Sequence, residues 1–423
     1  MMSSQFDKIC SFIDAQDEFI IDVMKKLLEV DTTVPSHDTY STFVAVLESY
    51  YRRWDFNCER VILPPEKAAE IRPEVTGDRM NLVASRDTGK PPCCIYAHMD
   101  TVPVGSGWEH DPFGEVAGDR IYGRGAVDMK GSIGSLFLAL ETVSRLNVDL
   151  RCDVKGMMCS DEELGVYPGS RYLAEQGYFT GELVWLEAGM QAPVRLQGSV
   201  GNVEIAVKSI GKASHSGMNY LGVNAVEAMV PVMDELLKLK KTVEQRQSSM
   251  PVLPGPGVEQ RNIRPSLNLD IIRGGEKANV IPGECTLVID RRYIPEERFE
   301  DVEAELREAI ERGKKRTKAL GWEIDIVHCY APVKIDVEGP CARRMCRALQ
   351  TVHGYTDDDI IVGGLQGSTD LGFVTGITGN TDVAGTGPFS METLATFHQP
   401  DEFALIADLK NLAKMLVYYL MEE

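Results

Sequence analysis

"IYAHMDTVP", residues 95–103, decides how the rest of this chain is read. Ile95, Tyr96 and Ala97 continue the apolar run "CCIYAH" (93–98), whose length suits a strand buried on both faces of a sheet. A histidine, a carboxylate and a proline follow just where that strand should end. On an extended chain, residues two apart project to the same side, so His98 and Asp100 can both face one site there.

Working outward, "NLVAS" (81–85), "CDVKGMMCS" (152–160) and "ELVWLEA" (182–188) are further short apolar runs of strand length. Helical spacing lies between and before them, in "FIIDVMKKLLEV" (19–30), "STFVAVLESYYRRW" (41–54) and "KGSIGSLFLALETVSRLN" (130–147). Strands alternating with helices predict an α/β layer structure with a mostly parallel central sheet, which places its ligands beyond the carboxyl ends of the strands. Near residue 199 the pattern changes. "GNVEIAVKSIG" alternates as a half-exposed antiparallel strand does, and an amphipathic helix over 224–241 follows. After the proline-rich loop 248–257 come two strands (266–274 and 285–293), a charged helix (298–320) and one more strand (322–330). This order predicts an inserted α+β open-faced sandwich over 199–332, with the outer domain split into 1–198 and 333–423.

The 423 residues carry 44 basic and 64 acidic side chains, a formal charge of −20. That charge repels phosphate backbones and anionic bilayers, so nucleic-acid and membrane-surface partners are excluded. The N-terminal "MMSSQFDKICSFIDAQDEF" lacks the basic and apolar regions of a signal peptide. The longest nearly uncharged stretch, 360–381, is too rich in Gly, Ser and Thr to span a bilayer. Ten scattered cysteines without a C-x-x-C pair suit reduced thiols in a cytoplasm, not a disulfide framework.

Polar clusters recur at predicted strand ends: His98 and Asp100, Asp128 in "YGRGAVDMKG", Glu162 and Glu163 in "SDEELG", Glu187 in "VWLEAG" and His398 in "FHQPDE". Brought to one sheet edge, these imidazoles and carboxylates form a thiolate-free set suited to zinc, cobalt or manganese at about 2.0–2.2 Å. Two metals about 3.5–4 Å apart with a shared carboxylate would need five ligands, the number available once Glu162 is set aside as a base and Asp100 as a partner for the second ring N–H of His98. His110 matches no ligand position, and His37, His328 and His353 read as surface or helix-end residues.

"HMDTVP", "GRGAVDMKG", "DEELG", the glutamate after "VWL" and the late "HQPDE" together resemble the M20 family of zinc-dependent amidohydrolases and exopeptidases, across essentially the whole chain. The resemblance implies a phosphorylase/hydrolase-like catalytic domain with an inserted lid that also makes a homodimer. It implies two Zn²⁺ per subunit, with Co²⁺ or Mn²⁺ as substitutes: one held by His98, Asp128 and Glu187, the other by Asp128, Glu163 and His398. Glu162 becomes the general base, Asp100 the orienter of His98, and the Asp128–Met129 peptide is cis. In "GKASHSGMNYLGVNA" (211–225) the matching histidine, His215, reaches the neighbouring subunit's site and holds the oxyanion. In "GGEKANVIPGECTLVIDRR" (274–292), Asn279 and Arg292 bind the substrate carboxylate, a task suited to a planar guanidinium. In "GGLQGSTDLGF" (363–373), Ser368, Thr369 and Asp370 contact substrate, although such a run is also an ordinary turn.

The expected activity is hydrolysis of an amide bond in a small carboxylate-bearing molecule, an N-acyl amino acid or short peptide. Glutamate at position 187 implies a deacylase or carboxypeptidase, with aminopeptidase or dipeptidase action second and a metal-free binding protein third.

Overall fold

The computed structural model describes residues 2–35, 39–68, 75, 77–187, 191–253 and 258–421. His37 and the end of the proline-rich loop, 254–257, lie outside them. In chain order, the elements that position the site begin with helix α1 (Asp17–Leu28) and strands β1 (Asn57–Ile62), β2 (Met80–Ser85), β3 (Pro92–His98), β4 (Glu115–Ala117) and β5 (Arg120–Tyr122). Helix α2 (Lys130–Leu146) and strands β6 (Asp153–Cys159) and β7 (Glu182–Trp185) follow. Next come β8 (Gly201–Ile210), α3 (Ala225–Val243), β9 (Ser266–Gly274), β10 (Glu284–Tyr293), α4 (Phe299–Lys314) and β11 (Gly321–Tyr330). The chain closes with β12 (Val383–Gly385), β13 (Phe403–Leu405) and α5 (Ile406–Met421).

Two compact units result. The first comprises Met1–Gln197, Ile335–Gly363 and Phe373–Glu423, and the second Gly198–Lys334 with Gly364–Gly372.

The first unit is built on a six-stranded sheet of order β1-β2-β6-β3-β7-β12. Its β6, β3, β7 and β12 run parallel, and the antiparallel β1 and β2 complete one edge. The uninterrupted apolar run that sets β3 is explained by its environment: every residue from Cys93 to His98 is buried. Tyr96 and Trp185 lie opposite each other on β3 and β7 and stack at 3.5 Å. Helix α2 is buried along most of its length and packs against α1 and α5. Register aligns the carboxyl ends of the parallel strands, with His98 opposite Cys159 and Trp185 opposite Gly385. The segments that leave these ends therefore start at one edge.

In the second unit an antiparallel sheet of order β9-β10-β8-β11 carries α3 and α4 on one face. Alternation puts Val203, Ile205 and Val207 of β8 and Leu287 and Ile289 of β10 inward, against Met229, Val232 and Leu236 of α3 and Leu306 and Ile310 of α4. Each such aliphatic side chain, fully buried, stabilises the unit by about 1.5–3 kcal/mol. The two helices meet closely at Gly313, where a Cβ would stand 2.5 Å from the Val232 Cα.

Candidate metal centre

Three parallel strands deliver candidate side chains directly. His98 ends β3, Glu162 and Glu163 follow β6, and Glu187 follows β7. Two do not fit the strand-end picture. Asp128 lies in the turn between β5 and α2, and His398 in the turn before β13, so neither leaves the central sheet. They are joined instead by a small side sheet in which β13 pairs antiparallel with β5, which in turn pairs with β4. The Asp128–Met129 peptide is cis, and His398 has φ of 60°.

These turns bring the groups together. His98 Nε2 stands 3.2 Å from Asp128 Oδ1, and His398 Nε2 stands 3.3 Å from both Asp128 Oδ2 and Glu163 Oε1. His98, Asp128 and Glu163 each present a ligand atom within 4.8 Å of the others, and so do His98, Glu162 and Glu187. His98, Asp128 and Glu162 are buried, whereas the His398 side chain is 48% exposed and forms the open side. Trp185 Nε1 donates to Glu187 Oε2 at 3.4 Å.

The hydrogen-bond chemistry asks for a cation. Both ring nitrogens of His98 face oxygen acceptors: Nδ1 the main-chain carbonyl of Asp100 at 3.0 Å, Nε2 the Asp128 carboxylate. A neutral imidazole has one N–H, so the second contact needs a proton or a metal ion. His398 Nε2 likewise faces two carboxylates with one nitrogen, and Glu163 Oε1 is buried without a hydrogen bond among the described residues. Ligand atoms about 2.1 Å from a tetrahedral zinc are about 3.4 Å from one another, close to these separations. The donor set, imidazole and carboxylate without thiolate, fits zinc, cobalt or manganese.

Electrostatics points the same way. Burial opposes the charge of Asp128, but its contacts with His398 and His98 prevail and hold its carboxyl well below the usual range. Burial also disfavours a charged His98, yet Asp128, Asp100 and Glu162 hold its proton affinity well above the ordinary imidazole value. Beside Asp128 and Glu163, His398 is pushed up to about 10. The carboxylates demand positive charge at this spot.

Asp100 acts differently from the sequence expectation. Its main-chain carbonyl, not its carboxylate, takes the ring N–H of His98, and the nearer carboxylate oxygen is 3.7 Å away. The carboxylate instead accepts the main-chain N–H groups of Glu162 at 3.2 Å and Glu163 at 2.9 Å, and so fixes the segment leaving β6. Burial pushes its carboxyl up to about 7, against the pull of His98.

Sequence reasoning missed the supports of this site. Asp161, with φ of 64°, turns the chain just before Glu162. Its carboxylate is held by Arg79, whose Nε donates at 2.9 Å, and by the Tyr40 hydroxyl at 3.0 Å. Glu402 accepts from Arg124 and from the N–H groups of Val127 and Asp128. Both glutamate and arginine stand inside quoted motifs, but 278 residues separate them, and no local pattern links them. Lys130 is buried and donates to the Val30 carbonyl at 2.7 Å.

The remaining candidates belong to the second unit. His215 pairs with Val280, and the Ser216 N–H donates to the carbonyl of Asn279, which lies in the turn immediately before the short strand Val280–Ile281. His215 Nδ1 accepts the Gly217 N–H at 3.1 Å, which leaves the ring proton on Nε2. Arg292 donates through Nε to Asp290 at 2.9 Å and through Nη1 to Ser368 Oγ at 3.0 Å. Its neighbour Arg291 is fully buried against Glu297 and Glu305. Thr369 Oγ1 accepts the Leu371 N–H at 3.4 Å, and Asp370 is fully buried. His328 is half-buried on the Tyr293 hydroxyl at 2.6 Å rather than at the surface, while His353 ends the helix Pro340–His353 as expected and is half-buried against Gln191 Oε1 at 2.8 Å.

The model of peptidase family M20/M25/M40 matches residues 94–422, a span from β3 to the end of α5 that includes every candidate ligand. The chain belongs to that family. Membership makes it a hydrolase of amide bonds. It is 27% identical over 346 residues to a probable succinyl-diaminopimelate desuccinylase of Staphylococcus epidermidis, covering 78% of this chain and 83% of the relative. It is 30% identical over 362 residues to the acetylornithine deacetylase of Aliivibrio salmonicida, covering 82% and 85%. A family M20 metallo-carboxypeptidase from Sulfolobus solfataricus shares the fold with a TM-score of 0.79 at 17% identity, over 95% of this chain and 98% of that one. Among the described residues, no helix is long and apolar enough to cross a membrane.

Proposed function

We propose that this family member is a dinuclear zinc-dependent hydrolase that removes the acyl group from an N-acyl amino acid, or the terminal residue from a short carboxylate-bearing peptide. One observation carries the reading: each oxygen of Asp128 faces a different imidazole, His98 on one side and His398 on the other. His98, Asp128 and Glu187 would hold one metal and Asp128, Glu163 and His398 the second. Metal bound there supplies Lewis acidity that polarises the scissile carbonyl and lowers the pKa of water to about 7.

The chain's own groups supply the rest. Glu162, buried beside His98 and Glu187, takes the proton from the attacking water and returns it to the departing nitrogen. Asp100 keeps Glu162 in place through its main-chain N–H. His215 offers an Nε2–H donor for the oxyanion, in this reading to the site of a partner subunit in a homodimer. Arg292, steadied by Asp290, and Asn279 would bind the substrate carboxylate. Glu187, the deacylase and carboxypeptidase signature of the family, and two deacylase relatives favour amide cleavage on an acylated amino acid. Free cysteines, all ten of them, suit a reducing cytoplasm.

A hydrolysis screen of N-acetyl, N-succinyl and N-formyl amino acids against dipeptides, with Zn²⁺, Co²⁺ or Mn²⁺ added, tests this. The expected result is turnover of acyl amino acids that chelation abolishes and metal restores, with Glu162→Gln slower by about 10²–10⁴ and metal uptake retained. Preferential cleavage of dipeptides with a free amino terminus would replace the reading by an aminopeptidase or dipeptidase. A protein that takes up no divalent metal would remove it.

A further inference from the structure

The turn "HQPDE" (398–402) does more than present His398. Two of its non-glycine residues, His398 and Asp401, adopt left-handed φ of 60° and 55°, so the turn directs successive side chains to separate targets. Asp401 Oδ1 accepts the main-chain N–H groups of Glu109 at 2.9 Å and His110 at 3.0 Å. Glu402 Oε1 accepts those of Val127 at 3.0 Å and Asp128 at 3.2 Å, and its Oε2 accepts Arg124 Nη1 at 2.5 Å. The Glu402 carbonyl takes the Gly123 N–H at 2.9 Å, and β13 then pairs with β5. Glu402 and Arg124 are only 1% and 4% exposed.

Residues 123–129 belong to no helix or strand, and Gly125, with φ of 83° and the Thr101 side chain pressed against it, keeps them in an irregular path. The amides on either side of the Val127–Asp128 step point at one carboxylate.

We propose that Glu402 is a positioning residue: by gripping the amides of Val127 and Asp128 it sets the place at which the Asp128 carboxylate meets His98 and His398. This rests on the metal-centre reading above. A ligand role for Glu402 itself is disfavoured because both its oxygens are already taken by N–H donors. What the role requires is an acceptor at the right reach, rather than a negative charge. The side chains of variants therefore fall in a definite order. Ala removes the acceptor, Asp withdraws it by one methylene, and Gln keeps one oxygen for the two amides while its NH2 takes the place of the oxygen that meets Arg124.

The test uses full-length protein with E402A, E402D and E402Q, the last in an R124M background, which removes the guanidinium that would face the new amide NH2 and is itself the reference for that variant. Metal affinity is measured by chelator competition with Zn²⁺, the visible spectrum with Co²⁺, and hydrogen exchange of the 127–128 amides with and without metal. Expected for E402A and E402D are a loss of about 10–100-fold in affinity, an altered Co²⁺ spectrum and faster exchange at 127–128, with kcat falling more than KM rises. E402Q should recover most of the affinity and protection. Should E402A fail to fold, E402D against E402Q decides. Unchanged affinity, spectrum and protection in E402D would overturn the proposal, as would E402Q losing as much as E402D, since that would mark charge and not reach. If the wild type takes up no metal, the metal-centre reading fails by itself, and amide exchange in the metal-free variants then decides the positioning role separately.

Discussion

The Arg79–Asp161 pair offers a quantitative test of how the general-base segment is held. Both side chains are essentially inaccessible, 1% and 0% exposed, and two guanidinium nitrogens contact the carboxylate. Arg79→Met deletes the counter-charge and leaves a buried carboxylate whose remaining side-chain donor among the described residues is the Tyr40 hydroxyl. Breaking a buried pair by removing one partner costs about 3–5 kcal/mol, while replacing both charges is often close to neutral. Asp161→Asn should therefore destabilise by a similar amount, and Arg79→Met/Asp161→Asn should be more stable than either single variant by about 2–4 kcal/mol. Because Asp161 immediately precedes Glu162 and holds a left-handed conformation, each single variant should also lose about 10–10² in kcat, the cost of misplacing a reacting group by about 1 Å. Denaturant melting of metal-free protein, followed by turnover of the metal-loaded form, measures both effects. A double variant no more stable than the weaker single one would show that the two charges are not coupled, and the account of this segment would be wrong.

Three further outcomes are expected. His215→Ala should lose about 10²–10³ in kcat with metal uptake intact; mixing it with inactive Glu162→Gln under subunit-exchange conditions should regenerate activity, and no recovery would place His215 in its own chain's site. Gly313→Ala forces a methyl against the Val232 backbone and should destabilise the second unit by about 1–3 kcal/mol, read as a lower melting temperature with the metal centre unaffected. Asp408, whose carboxyl burial pushes up to about 6, prefers its proton in the folded state, so its contribution is fully present below the unfolded pKa of about 3.9 and is lost as pH rises through 6. Asp408→Asn should accordingly raise stability above pH 7 by about 1 kcal/mol, after allowance for its partial exposure and helix-terminal position, and have little effect near pH 4; equal gains at both pH values would contradict that assignment.

The α/β class and the inserted sandwich were legible because burial imposes its own period. Residues 93–98 lie inside a parallel sheet and are uninterruptedly apolar, while β8 alternates because one face carries helices. His98, Glu163 and Glu187 could be placed by following strands to their ends. Asp128 and His398 could not, since a side sheet and two irregular turns bring them in, and irregular backbone leaves no periodic trace. The role of the Asp100 carboxylate was misread because H-x-D spacing says nothing about which main-chain N–H groups a neighbouring strand will offer. Arg79, 82 residues from Asp161, reads in sequence as an ordinary charged loop residue until the fold closes around it.

The second unit takes its chain from two stretches, a long one and the nine residues Gly364–Gly372. Arg292 lies in the first and its hydroxyl partner Ser368 in the second. Anyone grafting the specificity of one relative onto another must therefore move both pieces together. A chimera that exchanges only the continuous insert would seat a foreign arginine beside a host serine, and its failure would say nothing about whether the catalytic halves are interchangeable.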